Sequence, residues 1–476
     1  MNRQITHLFG LVLLLFGLLV LFTSRWTVFE AKGLTENSAN RRPLLEQQRI
    51  PRGLVRASDG TVLARSRPEG RGESRRYVRR YPQGDLFAHA VGYSFVDRGD
   101  AGLEQSRNEE LAGLHNEFGS IISTLLGGAN DGDDVRSTLD PKGQRAAIAA
   151  LAGRNGSIVA IEPATGRVRV MASVPTFDPN QIPKKYAEYN AQKGSPIFNR
   201  ATQARYPPGS TMKVVTAAAA LDSGRFTPQS VVNGDSNQKV GGVPLQNFGN
   251  QDYGPIDLTE ALTNSVNTVW GQVAQRLGSD RYYDYMKRFG FNVEPPLDYP
   301  EAQLTPSGVY GKRGRLLDES DPVDIGRVAI GQERLQVTPL QMATVAATVA
   351  NGGSRMEPRL TERVTARDGR TVEKIGSDEA AQVMSKGAAD DLTRMMANVV
   401  KEGSGTQAAL SGTPVAGKTG TAEVDAGAAN QAWFIGFAPL NDPKMAVAVT
   451  VERTQGQGGT VAAPLAKRVL QALLAK

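Results

Sequence analysis

The stretch LFGLVLLLFGLLVLF at residues 8–22 constrains the chain most, because it contains no charged residue and no proline. Extended to residues 5–24, it is long enough for a helix to cross the hydrocarbon core of a bilayer. A cleaved signal peptide is the competing interpretation, but Ser24, Arg25 and Trp26 follow where a small-x-small cleavage site would be needed. The sequence therefore predicts an uncleaved anchor at residues 1–24, and the flanking charges leave its orientation open.

The rest of the chain has the composition of a folded protein, and its total of 476 residues suggests two or three domains. Cysteine is absent, which excludes disulfides, thiol catalysis and cysteine metal sites. The three histidines, His7, His89 and His115, all lie in the first quarter of the chain. No cluster of metal ligands is visible, so we predict neither a metal nor a cofactor.

Positive charge is concentrated between residues 41 and 80, where twelve arginines face four acidic residues. Such a segment is typical of a solvated, weakly structured face. Anionic lipid headgroups and an anionic wall polymer are the alternative partners. Nucleic acid is not predicted as a partner, because no recognised binding motif accompanies the arginines.

Residues 25–150 are rich in arginine and glycine. GLVRASDGTVLA at residues 53–64 carries an Asp-Gly turn and predicts a hairpin. GLEQSRNEELAGL at residues 102–114 predicts one short helix, and a further helix begins at an Asp140 cap and ends at Asn155 and Gly156.

Residues 151–476 predict an α/β unit. Two strands flank a Pro-Ala-Thr-Gly turn in residues 156–174, helices follow, and strands return before a final amphipathic helix at residues 463–475. One middle helix illustrates the signals: Thr338 caps it and Gln341 completes a capping box. The economical arrangement is one antiparallel sheet assembled from both ends of the region, with helices packed on it.

The segment YPPGSTMKVV places Ser210 three residues before Lys213, at the start of an apolar helix. Because no histidine follows residue 115, a Ser-His-Asp triad is excluded there. A lysine whose pKa is lowered by desolvation can activate serine, while an ordinary helix start is the alternative. Ser236 and Lys239 repeat the spacing in a glycine-flanked loop, where we predict that the pair is neither buried nor fixed.

Two further motifs follow in the chain. Ser265-Val266-Asn267 lies between helix-like segments, and its alternative reading is a polar turn between helices. Lys418-Thr419-Gly420 begins a predicted strand, where lysine and hydroxyl groups suit carboxylate binding and glycine allows a close backbone approach. The alternative there is a strand start with an exposed lysine.

In this order, Ser-x-x-Lys, Ser-x-Asn and Lys-Thr-Gly resemble the signature of penicillin-binding proteins and serine β-lactamases. The spacings of 55 and 153 residues are similar to those of class B penicillin-binding proteins. RGLVRASDGTVLA, YPQGDLFAHAVGYSF and AWFIGFAP, among other stretches, also resemble that class. The region before the last domain is short, which resembles the actinobacterial type.

The resemblance implies a transpeptidase domain at residues 151–476, with an antiparallel sheet and helices on both of its faces. It further implies a small α+β pedestal at residues 25–150, and a cytoplasmic tip with a transmembrane helix at residues 1–24. The catalytic domain would then lie on the outer side of the cell membrane, attached to it by a single-pass anchor.

The resemblance also assigns roles at the site. Ser210 would be the nucleophile, Lys213 its base, Ser265 a proton relay, and Asn267 a holder of substrate amide and of Lys213. The terminal carboxylate of the substrate would meet Lys418 and Thr419, Gly420 would let its backbone approach, and the N–H groups of Ser210 and Thr421 would form the oxyanion hole.

The implied reaction is cross-linking of peptidoglycan stem peptides by acyl transfer from D-Ala-D-Ala, with covalent penicillin binding. A lipid-linked glycan polymerase and division or elongation proteins are the implied partners. A D,D-carboxypeptidase with water as acceptor is the alternative enzyme, and a scaffold or β-lactam sensor is the non-enzymatic alternative. The anchor and pedestal argue against a β-lactamase.

Overall fold

The computed structural model describes residues 2–25, 48–72, 75–114, 131–424 and 429–475. Trp26, His115 and the arginines at positions 41 and 42 lie outside this part of the chain. Helix α1 (Asn2–Ser24) contains the apolar stretch, and its large apolar side chains are exposed. By length and composition it is able to cross a membrane.

Among the described residues between α1 and residue 140, there are six strands and three short α-helices. These are β1 (Val55–Arg56), β2 (Val62–Glu69), β3 (Arg76–Arg80), α2 (Ala88–Val91), β4 (Tyr93–Phe95), β5 (Gly99–Ala101), α3 (Leu103–Ser106), α4 (Asn108–Ala112) and β6 (Asp134–Ser137). The expected hairpin forms between β1 and β2, with Gly60 at a φ of 92° in its turn. The predicted single helix at residues 102–114 is wrong, because the chain breaks at Arg107, whose guanidinium binds Glu110 and Asp298.

Two of the arginines in the basic segment are not solvated. Arg79 is 3% exposed, and its Nε donates to Glu104 at 2.5 Å. Arg52 reaches the same fully buried carboxylate at 3.2 Å. The prediction of a solvated arginine face is therefore wrong for these two residues, which form a buried ion cluster with Glu104.

A six-stranded sheet joins this region to a distant part of the chain. Its order is β17-β16-β6-β1-β2-β3, where β16 (Thr361–Thr365) and β17 (Thr371–Lys374) come from the later part of the sequence. Strand β6 is antiparallel to β16 and parallel to β1. The limits of residues 25–150 and 151–476 for pedestal and transpeptidase domain stay a prediction.

The larger sheet is assembled from both ends of the remaining chain, as predicted. It consists of β7 (Gly156–Ile161), β8 (Val168–Val174), β19 (Ala416–Val424), β20 (Ala429–Ala438) and β21 (Met445–Thr454). Their order is β19-β20-β21-β7-β8, and all neighbours are antiparallel.

Both faces of this sheet are covered by helices. On β7, Ile158 and Val159 are both fully buried, yet they belong to different apolar cores, since alternate residues point to opposite faces. One core contains α5 (Pro141–Leu151) and α14 (Gly458–Leu474), and the other contains α7 (Lys213–Asp222), α12 (Pro339–Ala350) and α13 (Lys386–Lys401). The predicted fold, with helices on both faces, is confirmed.

The remaining elements lie between β8 and α13 in the sequence, and several of them add buried residues to the core that contains α7. The helices are α6 (Ile182–Ala191), α8 (Leu258–Thr263), α9 (Asn267–Leu277), α10 (Ser279–Arg288) and α11 (Ile325–Val328). The strands, all in two-stranded pairs, are β9 (Val231–Asn233), β10 (Gln238–Val240), β11 (Val243–Leu245), β12 (Pro255–Asp257), β13 (Gly308–Val309), β14 (Leu335–Gln336), β15 (Ser354–Met356) and β18 (Glu379–Gln382).

Local sequence signals located some helix boundaries and missed others. Helix α5 begins as expected, with Asp140 Oδ1 accepting from Gly143 N–H, but its last residue is Leu151, four residues before Asn155 of the predicted Asn-Gly exit. Thr338 caps α12, but the predicted capping box is wrong, because the Thr338 N–H donates to Ser307 Oγ and the Gln341 amide is bound to Phe289 O. Helix α14 begins at Gly458, earlier than the predicted residue 463.

Candidate active site

Ser210 lies in a 3₁₀ turn (Gly209–Met212) that leads directly into α7. The prediction of an α-helical first turn is therefore corrected to a tighter turn. Lys213 begins α7 and is fully buried, as are residues 214–220 of this apolar helix. The helix spacing places both side chains together, with Lys213 Nζ 3.0 Å from Ser210 Oγ.

Three contacts hold the turn before Ser210. Trp433 Nε1 on β20 donates to Pro207 O at 2.9 Å. The Gly209 N–H donates to Gly331 O at 3.2 Å. Gly209 has a φ of 51°, and a Cβ there would lie 2.6 Å from Thr421 O, so glycine lets the turn press against β19.

Ser265 and Asn267 come from the turn between α8 and α9. Ser265 has a φ of 59°, and Asn267 is the first residue of α9. This turn directs both residues to Lys213, whose Nζ lies 3.2 Å from Ser265 Oγ and 2.7 Å from Asn267 Oδ1. The Ser-x-Asn motif is therefore part of the same cluster as Ser210.

Lys418 reaches the cluster from β19. It is fully buried, and its Nζ lies 2.9 Å from Ser265 Oγ and 3.0 Å from Thr419 O. The Ser265 hydroxyl thus lies between two lysine amines, and the structure brings all three sequence motifs to one place.

The partners of Lys213 define where its lone pair points. Asn267 Oδ1 and Ser265 O lie 2.7 and 2.6 Å from Nζ, and both oxygens can only accept hydrogen bonds. A neutral amine has two hydrogens, which these two oxygens engage. Its lone pair then faces the Ser210 hydroxyl, which is the arrangement of a base beside a nucleophile.

Burial and charge favour that neutral amine. Burial, and then the nearby charge of Lys418, lower the pKa of Lys213 well below its usual value. Burial also lowers the pKa of Lys418 to about 7. Because both amines contact one hydroxyl, we infer a single positive charge on the pair, carried by Lys418.

The remaining residues of the Lys-Thr-Gly strand line the neighbouring surface. Thr419 Oγ1 lies 2.6 Å from Ser404 Oγ, and Thr421 Oγ1 accepts from the Gly458 N–H at 3.0 Å. A Cβ on Gly420 would lie 2.6 Å from Pro208 O, so a larger residue would displace the serine turn. Every predicted site residue therefore lies at or beside this cluster.

Comparison with known families gives two matches along the chain. The family model of the penicillin binding protein transpeptidase domain matches residues 156–471. That of the penicillin binding protein A dimerisation domain matches residues 52–135.

The chain belongs to the class B penicillin-binding proteins. It is 32% identical to the peptidoglycan D,D-transpeptidase PbpA of Mycolicibacterium smegmatis, covering 100% of this chain and 99% of the relative. The acyl-enzyme structure of penicillin-binding protein A from M. tuberculosis with ceftriaxone is 31% identical and has a TM-score of 0.80, covering 90% and 100% of the two chains. The D,D-transpeptidase MrdA of Acinetobacter baumannii is 30% identical, but the match covers 65% of its length. The recognised family and the enzyme class are confirmed, and the full-length match with PbpA agrees with the short type.

One neighbour in the site of this penicillin-binding protein was missed by sequence reasoning. Ser404 lies in a Gly-Ser-Gly loop just after α13, and its hydroxyl contacts Thr419. Ser404 lies far from the three motifs in the sequence and in a loop, where no helical or strand periodicity indicates which way a side chain points. The sequence therefore contains no signal that would have identified it.

The second Ser-x-x-Lys pair of this penicillin-binding protein is separate from the cluster. The prediction that it is neither buried nor fixed is wrong for Ser236, which is 7% exposed and donates to Asn250 Oδ1 at 2.7 Å. The same prediction is correct that Lys239 is not buried, since it is exposed on β10. A buried basic partner is what distinguishes Ser210 from Ser236. Across the described residues, no group of three or more His, Asp or Glu side chains could hold a metal ion.

Proposed function

We propose that Ser210 takes the acyl group of a D-Ala-D-Ala stem peptide and passes it to an amine of a neighbouring stem, which cross-links peptidoglycan. The observation that carries this proposal is the Lys213 amine, buried and 3.0 Å from Ser210 Oγ with its hydrogens engaged elsewhere. The relatives named as D,D-transpeptidases support the same reaction.

Acylation begins with transfer of the Ser210 proton to Lys213. Ser210 Oγ then attacks the carbonyl carbon of the penultimate D-alanine. The N–H groups of Ser210 and Thr421 stabilise the negative oxygen, a contribution of about 3 kcal/mol for one such donor. The tight approach of the Gly209 turn to Thr421 supports this pairing.

Release of the leaving group uses the hydroxyl between the lysines. As the C–N bond breaks, Ser265 Oγ donates its proton to the departing amine of D-alanine. The proton on Lys213 replaces it, over a distance of 3.2 Å. The acceptor amine then attacks the acyl carbon, and the proton returns by the same path, so that Ser210 regains its hydroxyl.

The substrate carboxylate fits the positive end of the cluster. We assign it to the Lys418 ammonium and the Thr419 hydroxyl, with Gly420 leaving space for the substrate backbone. Asn267 holds a substrate amide as well as Lys213. β-Lactams react at Ser210 in the same way, and solved acyl-enzymes of a relative with ceftriaxone, imipenem and penicillin G support this.

The substrate also determines the proposed topology. Peptidoglycan lies outside the cytoplasmic membrane, so α1 would anchor the protein with its N-terminus in the cytoplasm and the catalytic region outside. A lipid-linked glycan polymerase and division or elongation proteins are proposed partners, since cross-linking requires newly made glycan.

Labelling with a fluorescent penicillin tests the nucleophile. Ser210→Ala should abolish covalent labelling, whereas Ser236→Ala should still be labelled to the same final extent as the wild-type protein, because only Ser210 has a buried basic partner. Labelled Ser210→Ala protein would refute the assignment. A stem-peptide thioester offered with a D-amino acid tests the acceptor: aminolysis supports transpeptidation, and hydrolysis without aminolysis would replace it with a carboxypeptidase.

A further inference from the structure

The segment at residues 234–254, here called the asparagine loop, packs beside the start of α9. It contains β10 and β11 and connects β9 to β12. Its contact with the site is made through the backbone, since Asn267 Nδ2 donates to Gln246 O at 2.8 Å. None of the catalytic steps described above uses this loop.

The Gln246 carbonyl decides which way the Asn267 amide faces. With Nδ2 bound to Gln246 O, Oδ1 faces Lys213 Nζ at 2.7 Å. A flipped amide would place its NH2 group against Lys213 and its oxygen against a carbonyl. The flipped NH2 group would compete with Ser210 for the lone pair of the lysine.

Asn247 fixes the position of that carbonyl. It is 4% exposed, and its Oδ1 accepts from Thr268 N–H and Oγ1–H at 3.1 and 3.2 Å. Its Nδ2 donates to Gly234 O and Gln251 O at 2.7 and 2.9 Å. One buried side chain therefore joins both ends of the asparagine loop to α9.

The contact with Thr268 replaces a missing helix cap. Val266 occupies the N-cap position of α9 and has no side chain able to accept from the first turn. Asn247 supplies that acceptor from outside the helix. Ser236 supports it in turn, because Ser236 Oγ accepts from the Asn247 N–H at 3.1 Å.

We propose that Asn247 is a positioning residue for acyl transfer, which holds Gln246 O and the first turn of α9 so that the Asn267 oxygen faces Lys213. This inference rests on the proposed function of the site. Asn247 acts through Asn267 and touches neither Ser210 nor the reacting atoms.

The experiment measures the second-order rate constant of penicillin acylation against pH, together with thermal unfolding, in the full-length protein. Asn247→Ala should lower the rate constant about tenfold to a hundredfold, as expected for a displaced catalytic group. Loss of the oriented Asn267 oxygen should also move the acid limb of the pH profile to lower pH, because that oxygen stabilises the protonated form of Lys213. Lys418 is the charged group that acts on Lys213 in both proteins.

Two further variants make the result decisive. Asn247→Asp keeps the acceptor for Thr268 and should recover part of the rate, whereas Asn233→Ala removes an exposed asparagine on β9 and should leave it unchanged. An Asn247→Ala protein with the wild-type rate and pH profile would overturn the proposal. The proposal would also be overturned if the acylation rate of Asn247→Ala fell only in proportion to its folded fraction and Asn247→Asp recovered none of that rate. Failure of the proposed function is distinct, since Ser210→Ala would then still be labelled.

Discussion

At the scale of single residues, the site depends on two lysines that share one serine hydroxyl. Lys213 and Lys418 lie 3.2 and 2.9 Å from Ser265 Oγ. Two ammonium groups this close, both buried, would repel each other strongly. The arrangement is therefore stable with one neutral and one charged lysine, which suits the proposed roles of a base for Ser210 and a cation for the substrate carboxylate.

Replacing the base should separate acylation from folding. Lys213→Met fills the apolar surroundings without a proton acceptor, and we expect penicillin acylation to slow by about 10²- to 10⁴-fold. Lys239→Met, at the exposed lysine of the second Ser-x-x-Lys pair, is the matched control and should acylate normally. Stopped-flow or gel-based acylation rates, with thermal unfolding as a check, measure both. A Lys213→Met protein with the wild-type rate would rule out lysine as the base.

The pH dependence of acylation should have a basic limb. The pKa of Lys418 in the free enzyme is lowered by burial to about 7, so its ammonium is lost as the pH rises through that value. The second-order rate constant for a penicillin carboxylate should therefore fall above about pH 7, since it reports the free enzyme. Lys418→Arg stays charged and should lose this limb while reacting more slowly overall. A wild-type rate constant unchanged between about pH 7 and pH 9 would contradict the assignment.

The sequence could predict these residues because three motifs in order resemble the family signature. The absence of histidine after residue 115 made lysine a candidate base for Ser210, but an ordinary helix start remained the alternative until the other two motifs were considered. Ser404 and the burial of Ser236 could not be predicted, because both depend on segments that meet only in the folded chain.

At the scale of elements, the serine turn is positioned by neighbours distant in sequence. Trp433 on β20, Gly331 after α11 and Gly420 on β19 all approach the turn that contains Gly209. The prolines and glycine of the turn are a local sequence signal that predicts it. No comparable signal in the sequence indicates which distant residues pack against it. Local signals likewise predicted the cap of α12 at Thr338, whereas tertiary contact with Phe289 O diverted Gln341 from the capping box.

A comparison of two glycines can separate the effect of close packing against the serine turn from the effect of backbone strain. Gly331 and Gly314 have φ values of 80° and 76°, so alanine at either position incurs similar backbone strain of about 1 to 2 kcal/mol. A Cβ on Gly331 would also lie 2.0 Å from Gly209 O, whereas one on Gly314 meets nothing within 4 Å. Gly331→Ala should therefore lose more stability and slow acylation at least about tenfold.

Denaturant unfolding and penicillin acylation of both variants measure this difference. Gly314→Ala should show only the backbone cost and acylate at the wild-type rate. Equal losses of stability with unchanged acylation in both proteins would show that the turn does not depend on close packing at Gly331.

At the scale of the whole molecule, each of the two sheets is completed or covered by a segment from the part of the sequence that forms the other sheet. Strand β16 pairs with β6, so Val364 lies beside Val135 in the smaller sheet. Helix α5 begins ten residues before residue 151 but packs in the core of the larger sheet, where Ala147 and Ala150 are buried with α14. Alternating apolar strands predicted the larger sheet, but local pattern could not reveal that β16 pairs with a strand about 230 residues earlier in the chain.

Truncation tests how far the folding of the catalytic region depends on β6 and α5, which come from before residue 151 or end at it. A fragment of residues 151–476 lacks β6 and nearly all of α5, which exposes the edge of β16 and the apolar face of α14. We expect this fragment to aggregate or to label poorly with penicillin, because exposed edges and apolar faces favour association. A fragment of residues 132–476 restores both elements and should recover labelling, while residues 48–476 should unfold at the highest temperature. Stoichiometric labelling of the shortest fragment, with the same unfolding temperature as residues 48–476, would show instead that the catalytic region folds independently of everything before residue 151.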